Sequence, residues 1–164
     1  MTEIPETLAP VDDLGNGDAL ASWRWLSGTN TQVRLLTAMG DFIVLKPMGL
    51  LRRNYVCLLD TYTGTIDRIA ESWEAFKELL DTSELPLTWF KADLVAQLRA
   101  RGLMLSQGQC YSPIHPPILG GSYEVDNFEA VPWRVHVGIM GQIHEQVKDL
   151  PPGTPITGID VNTE

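Results

Sequence analysis

The residues with which this chain could most readily do chemistry are three histidines and two cysteines, and their spacing argues against most of it. His136 and His144 fall eight positions apart on one predicted helix. At ~1.5 Å rise per residue their Cα atoms stand ~12 Å apart, too far to share a metal ion unless a third element reaches between them. His136 is expected to be a packed histidine bonded to the backbone of the Gly120-Gly121 loop, and His144 a surface or rim residue. His115, between Ile114 and Pro116, carries an imidazole and could act as a base with Cys110 or Asp126 as partner. Cys110-Tyr111, however, has no thiolate-activating context, and free cysteines are commonly buried and inert. Asp60 and Asp67 bracket the Thr63-Gly64 turn, a spacing that resembles a two-carboxylate site but more often caps backbone donors. A nucleophile elbow, a zinc-protease helix and a P-loop are absent, since Gly120-Gly121 lacks the Lys-Ser/Thr that would follow. The expectation is no catalytic residue, no metal and no cofactor.

The segment that must position these groups runs from Cys110 to Pro152. Pro113, Pro116, Pro117 and Pro132 preset φ and remove donors, while Gly120 and Gly121 permit conformations closed to other residues. From Val131 or Trp133 to Lys148, Val135, Ile139, Met140, Ile143 and Val147 recur at helical spacing until Pro151-Pro152-Gly153 stops the pattern. Trp133 is placed to staple the proline-rich loop to this helix. Upstream, Ser22–Leu26, Val33–Ala38, Phe42–Lys46, Tyr55–Asp60 and Thr65–Ala70 are short β-prone runs separated by turn residues, which reads as an antiparallel meander. Ser72 is a plausible N-cap for a helix over Trp73–Leu80, and Thr88 for one over Trp89–Arg101. Strands first and helices afterwards predict an α+β fold. Its expected form is a curved meander of four to five strands covered on one face by three helices, with a Pro/Gly-rich loop before the last. Residues 1–21 read as an irregular arm, 22–150 as one domain and 151–164 as a tail.

Composition fits one globular domain: 164 residues, 44% hydrophobic, 20% charged. No apolar run approaches the ~20 residues of a membrane span, and the acidic start MTEIPETLAPVDD is unlike the basic leader of a signal peptide. With two cysteines and no disulfide framework, a cytoplasmic location is expected. A net charge of −9 disfavours nucleic acid and membrane surfaces and favours a basic partner.

Several stretches together resemble a known family. They are Met39-Gly40-Asp41-Phe42, Leu58 and Asp60 with Gly64-Thr65-Ile66, the helices Trp73–Leu80 and Phe90–Leu98, and Cys110-Tyr111-Ser112 leading to Pro117-Ile118-Leu119-Gly120-Gly121. Val125-Asp126-Asn127-Phe128-Glu129 and His136 ahead of Ile139–Ile143 complete the set. From Leu35 to Gln146 the chain resembles the C-terminal domain of type VI secretion immunity proteins, whose characterised members neutralise a DNase effector. The resemblance implies a non-enzymatic protein that occludes a cognate secreted toxin, with a nuclease as the implied effector class. It implies a structural role for the Leu119-Gly120-Gly121 loop, the Asp126-Asn127 pair and His136, to which the staple reading adds Trp133. Glu124, Asp126, Glu129, Glu145 and Asp149 are the candidate partner-binding acids, and the basic turn Lys46–Arg53 a candidate contact for an acidic rim. The alternative is a small-ligand-binding or enzymatic domain with its pocket at the proline-rich loop, His115, Tyr111 and Asp126 at the mouth.

Overall fold

A computed structural model describes residues 8–10, 18–82 and 87–162. Five strands form an antiparallel meander in chain order: β1 (Leu8–Pro10), β2 (Gln32–Thr37), β3 (Phe42–Met48), β4 (Arg53–Asp60) and β5 (Thr65–Ala70). The strands β2 to β5 lie within two residues of the runs expected from sequence. The edge strand β1 comes from the segment expected to be an irregular arm, pairing Leu8 with Thr37 and Pro10 with Leu35. Residues 1–7 and 11–17 of that arm lie outside the described residues.

Helices cover both faces of this sheet, not one. Phe42 to Leu45 and Val56 to Leu59 are continuous buried runs, and continuous apolar runs are the pattern of strands covered on both sides. Phe42, Val44, Cys57 and Leu59 face a core shared with Trp23, Trp133, Val137 and Met140. Ile43, Leu45, Val56 and Leu58 face Phe76 and Phe90. The helix over this second face, α2 (Trp73–Leu80), begins as expected, with Ser72 Oγ accepting from the Ala75 N–H at 3.1 Å.

Among the described residues there are four α-helices instead of three, because Ser22–Leu26 is not a strand. A 3-10 turn (Ala21–Trp23) leads into α1 (Arg24–Ser27) and crosses the last helix, α4 (Trp133–Val147). Trp23 is fully buried there and its indole N–H donates to Val137 O at 2.9 Å. A Cβ on Gly141 would lie 2.5 Å from Ser22 O, so a small residue lets the two backbones meet. The run of alternating apolar residues mimicked a strand, and the docking site on α4 decided otherwise.

The helix expected over Trp89–Arg101 is broken. A 3-10 turn (Leu87–Phe90) and α3 (Ala92–Ala100) meet at Lys91, which adopts the left-handed conformation at φ 50°. The proline-rich segment holds a ladder that its prolines concealed: β6 (Gln109–Pro113) pairs antiparallel with β7 (Phe128–Pro132). Pro113 and Pro132 stand at the strand ends, where a missing N–H costs least. Beyond α4 the chain turns at Pro151 and runs extended, residues 159–162 lying back along that helix.

Candidate functional site

The break at Lys91 brings its ammonium to two carboxylates. Lys91 Nζ donates to Asp41 Oδ2 at 2.6 Å and to Asp60 Oδ2 at 2.9 Å, and lies 4.7 Å from the centre of the Tyr62 ring. Asp41 stands just after the β2–β3 turn and Asp60 at the end of β4, so the meander sets both at one end of the sheet. Asp60 Oδ1 accepts from the Tyr62 and Thr63 backbone N–H groups, the turn-capping role expected of it. Asp67 is not part of this group; it is exposed on β5 and accepts from Thr65 Oγ1. The second carboxylate is Asp41.

From Asp41 a chain of hydrogen bonds runs under the sheet end. Thr61 donates to Asp41 Oδ1 from its backbone N–H at 2.7 Å and from Oγ1 at 2.8 Å. With its hydroxyl proton committed to a carboxylate, Thr61 Oγ1 can only accept from His136 Nε2, 2.8 Å away. This fixes the proton on Nε2, so His136 Nδ1 accepts from Ser112 Oγ at 2.9 Å. His136 is therefore bonded to Thr61 and Ser112, not to the Gly120-Gly121 loop as expected.

The electrostatics of this chain decide what it can do. Burial pushes the Asp41 carboxyl up to about 6, against the pull of Lys91. Burial also pulls on Lys91, but the two carboxylates outweigh it and hold its pKa at about 12. For Asp60, Lys91 and the turn N–H groups overcome burial and leave the pKa below its ordinary value. Burial, with Lys91 nearby, brings His136 down to about 3. Both ring nitrogens of His136 are engaged, Nε2 by Thr61 and Nδ1 by Ser112. The arrangement ties the starts of β3 and α3, the end of β4, β6 and α4 together at one point.

His144 is buried, only 4% exposed, where a rim position was expected. Its ring packs against Trp23 at 5.6 Å and fills the space beside Gly64, whose backbone at φ 68° admits no side chain there. Burial lowers its pKa. Trp133 staples α4 to the sheet instead of to the loop, edge-on to Phe42 at 6.0 Å. The loop is held by Asn127: its amide donates to the His115 and Ser122 carbonyls and accepts from the His115 N–H. Gly120 closes the turn at φ 95°, and a Cβ on Gly121 would lie 1.8 Å from His115 O.

The residues of the ligand-pocket alternative do not converge. Tyr111 is buried and donates to Leu103 O, Asp126 pairs with Arg101 on α3, and Cys110 is buried with its thiol pKa raised by desolvation. His115 alone lines a cavity of about 650 Å³ beneath the C-terminal segment. A second cavity, of about 490 Å³, opens on the ion pair and is lined by Asp60, Lys91, Asp93, Gln97 and Tyr123. Among the described residues no group of three or more His, Cys, Asp or Glu could hold a metal ion, and no helix is long and apolar enough to cross a membrane.

The acidic candidates are all exposed, in two groups. Glu124, Asp126 and Glu129 follow Tyr123 along a 3-10 turn into β7, and Tyr123 packs on Tyr62 at 6.2 Å, which links this edge to the buried network. Glu145 lies near the end of α4 and Asp149 beyond it, the latter paired with Lys148. Sequence reasoning missed Lys91, Thr61 and Ser112 as members of a site. The one signal available was Lys91 itself, a lone cation among Trp89, Phe90 and Leu94, whose burial demands a counter-charge.

No curated protein matches the chain. The crystal structure of Atu4351 from Agrobacterium tumefaciens aligns with a TM-score of 0.52 at 19% identity, over 76% of this chain. The chain spans 59% of that protein, and at this identity the likeness is one of fold alone. Residues 70–144 match the family described as T6SS immunity protein Tdi1, C-terminal, within the stretch whose motifs resembled it. From the end of β5 through most of α4, the chain is thus similar to the C-terminal domain family of type VI secretion immunity proteins.

Proposed function

We propose that this chain is a cytoplasmic immunity protein that binds a cognate secreted toxin and neutralises it stoichiometrically, without turnover. The observation that carries the reading is the family match over residues 70–144, a span that contains the exposed acids Glu124, Asp126 and Glu129. A basic nuclease is the toxin class this surface fits. Such an enzyme presents cationic grooves for phosphate, and a chain of net charge −9 gains encounter rate and partner selection by offering carboxylates to them. Glu145 and Asp149 extend the contact if the partner reaches the end of α4. Tyr123 ties this edge to the buried network through Tyr62, and an edge held in place pays less ordering cost on binding.

The test is co-expression with a cognate toxin, sought among the genes adjacent to this one, followed by titration of the purified pair. Growth rescue, with inhibition complete at one equivalent, is the expected result. Failure to rescue, or inhibition at far below one equivalent, would overturn the reading, the second because it implies catalysis.

A further inference from the structure

The C-terminal segment is held on α4 by a device that reads backbone. Gln142 Nε2 donates to Asn162 O at 2.9 Å while its Oε1 accepts from the Asn162 N–H at 2.8 Å. One turn on, Gln146 does the same to Asp160, at 2.6 and 3.1 Å. Each amide is oriented by its own helix, Gln142 Nε2 donating to Gly138 O and Gln146 Nε2 to Gln142 O. The spacing is matched: four helical residues rise ~6 Å and two extended residues ~6.7 Å, so glutamines at i and i+4 address alternate residues of an antiparallel extended chain. No side chain of the segment is read by these four bonds. Its aliphatic side chains Ile159 and Val161 instead line, with Val135, Ile139 and Ile143, an apolar groove along α4.

The seat is poorly filled. The segment lines the 650 Å³ cavity, another of about 320 Å³ remains between it, α4 and the β6–β7 edge, and Ile156 and Val161 stay 40% and 39% exposed. Its four glutamine bonds are themselves solvent-exposed, as in segments that open at little cost.

We infer that the outer face of α4 is a binding site for an extended peptide carrying aliphatic residues at alternate positions, occupied in cis by residues 159–162 and open to a partner's segment that displaces them. The backbone bonds supply affinity without sequence preference, and the under-filled groove favours larger aliphatic groups than Ile159 and Val161. The inference needs no toxin and stands apart from the immunity reading; the matched family segment ends at residue 144, before the tail.

The probe is a fluorescein-labelled peptide of residues 156–162, Ile-Thr-Gly-Ile-Asp-Val-Asn. It is titrated by anisotropy into the full chain and into the full-length variant I159D/V161D, whose own segment is unseated. A tethered segment competes at on the order of millimolar effective concentration. The variant should therefore bind the peptide at least ~10-fold more tightly than wild type, and adding Q142A/Q146A should abolish that binding. D160P, which removes the N–H read by Gln146, serves as a second unseating variant. Equal binding by wild type and variant, no binding by either folded variant at 1 mM peptide (roughly the tethered concentration), or binding indifferent to Q142A/Q146A would each overturn the inference.

Discussion

The imidazole of His136 occupies the space a side chain on Gly40 would need: a Cβ there would lie 2.4 Å from His136 Cδ2 and 3.1 Å from Cys110 Sγ. The same relationship recurs between Gly64 and His144, at 2.4 Å from Nδ1. Both glycines have positive φ, 79° and 68°, so the two turns of the meander are shaped to receive the two histidines of α4. Alanine at either position carries the left-handed cost and an overlap with a buried ring, and should destabilise by ~3 kcal/mol or more. Gly153, at φ 80° with nothing within 4 Å of its Cβ position, isolates the conformational part; Gly153→Ala should cost only ~1 kcal/mol. Urea melts of the three variants check the ordering.

Lys91 is the counter-charge for Asp41, which is wholly buried, and for Asp60. Lys91→Met should cost ~3–5 kcal/mol, because it strands a buried carboxylate. Asp41→Asn in the same chain should recover part of that loss, since the strandable charge is gone. A double-mutant cycle by denaturant melts measures the coupling, and strictly additive losses would mean the pair is not a unit.

Several of these features are legible in the sequence, and others are hidden in it for definite reasons. Alternation and turn residues located β2 to β5, and a serine at the right offset located the start of α2. Ser22–Leu26 showed the same alternation, yet its indole is needed against Val137 O on α4, a contact more than a hundred residues away in sequence. Helical spacing marked α4 but rotated its buried face. Val135 is 45% exposed and Ile139 half-buried, while His136, Val137, Met140, Ile143 and His144 face inward. A periodicity count passes over buried histidines because it scores them as polar. Ile143→Ala should therefore cost ~2–4 kcal/mol and Ile139→Ala ~1 kcal/mol, a difference that thermal melts resolve.

Stability should fall in acid, with His136 as the main cause. Its pKa is lowered to about 3 in the folded chain, so the stability it contributes is complete above its ordinary value of 6.5 and is lost as pH falls towards 3, by ~5 kcal/mol in all. Asp41 acts in the opposite sense. Its pKa is raised to about 6 from 3.8, so its burial costs least at low pH and ~3 kcal/mol more once pH exceeds 6. The two partly cancel, leaving a net loss between pH 6.5 and 3. Asp41→Asn should steepen that loss and His136→Asn should reverse or flatten it. Urea melts at pH 7, 5 and 4 give the slopes, and an unchanged slope in His136→Asn would remove the histidine from the account.

The acidic edge can be tested apart from the fold. Glu124 and Glu129 are exposed, and Asp126 holds Arg101 only at the surface, where an ion pair is worth ~0–1 kcal/mol. The triple variant E124Q/D126N/E129Q should melt within a few degrees of wild type. Its net charge changes from −9 to −6, and the freed Arg101 adds an uncompensated cation at the same edge. If a basic toxin docks there, association should slow by roughly tenfold at low salt, and its dependence on ionic strength should flatten, because long-range attraction acts on encounter more than on dissociation. Stopped-flow mixing with the cognate toxin, at low and high salt, measures both. Association rates equal to wild type at every salt concentration would take the edge between Tyr123 and β7 out of the interface and leave Glu145 and Asp149 as the acids to replace next.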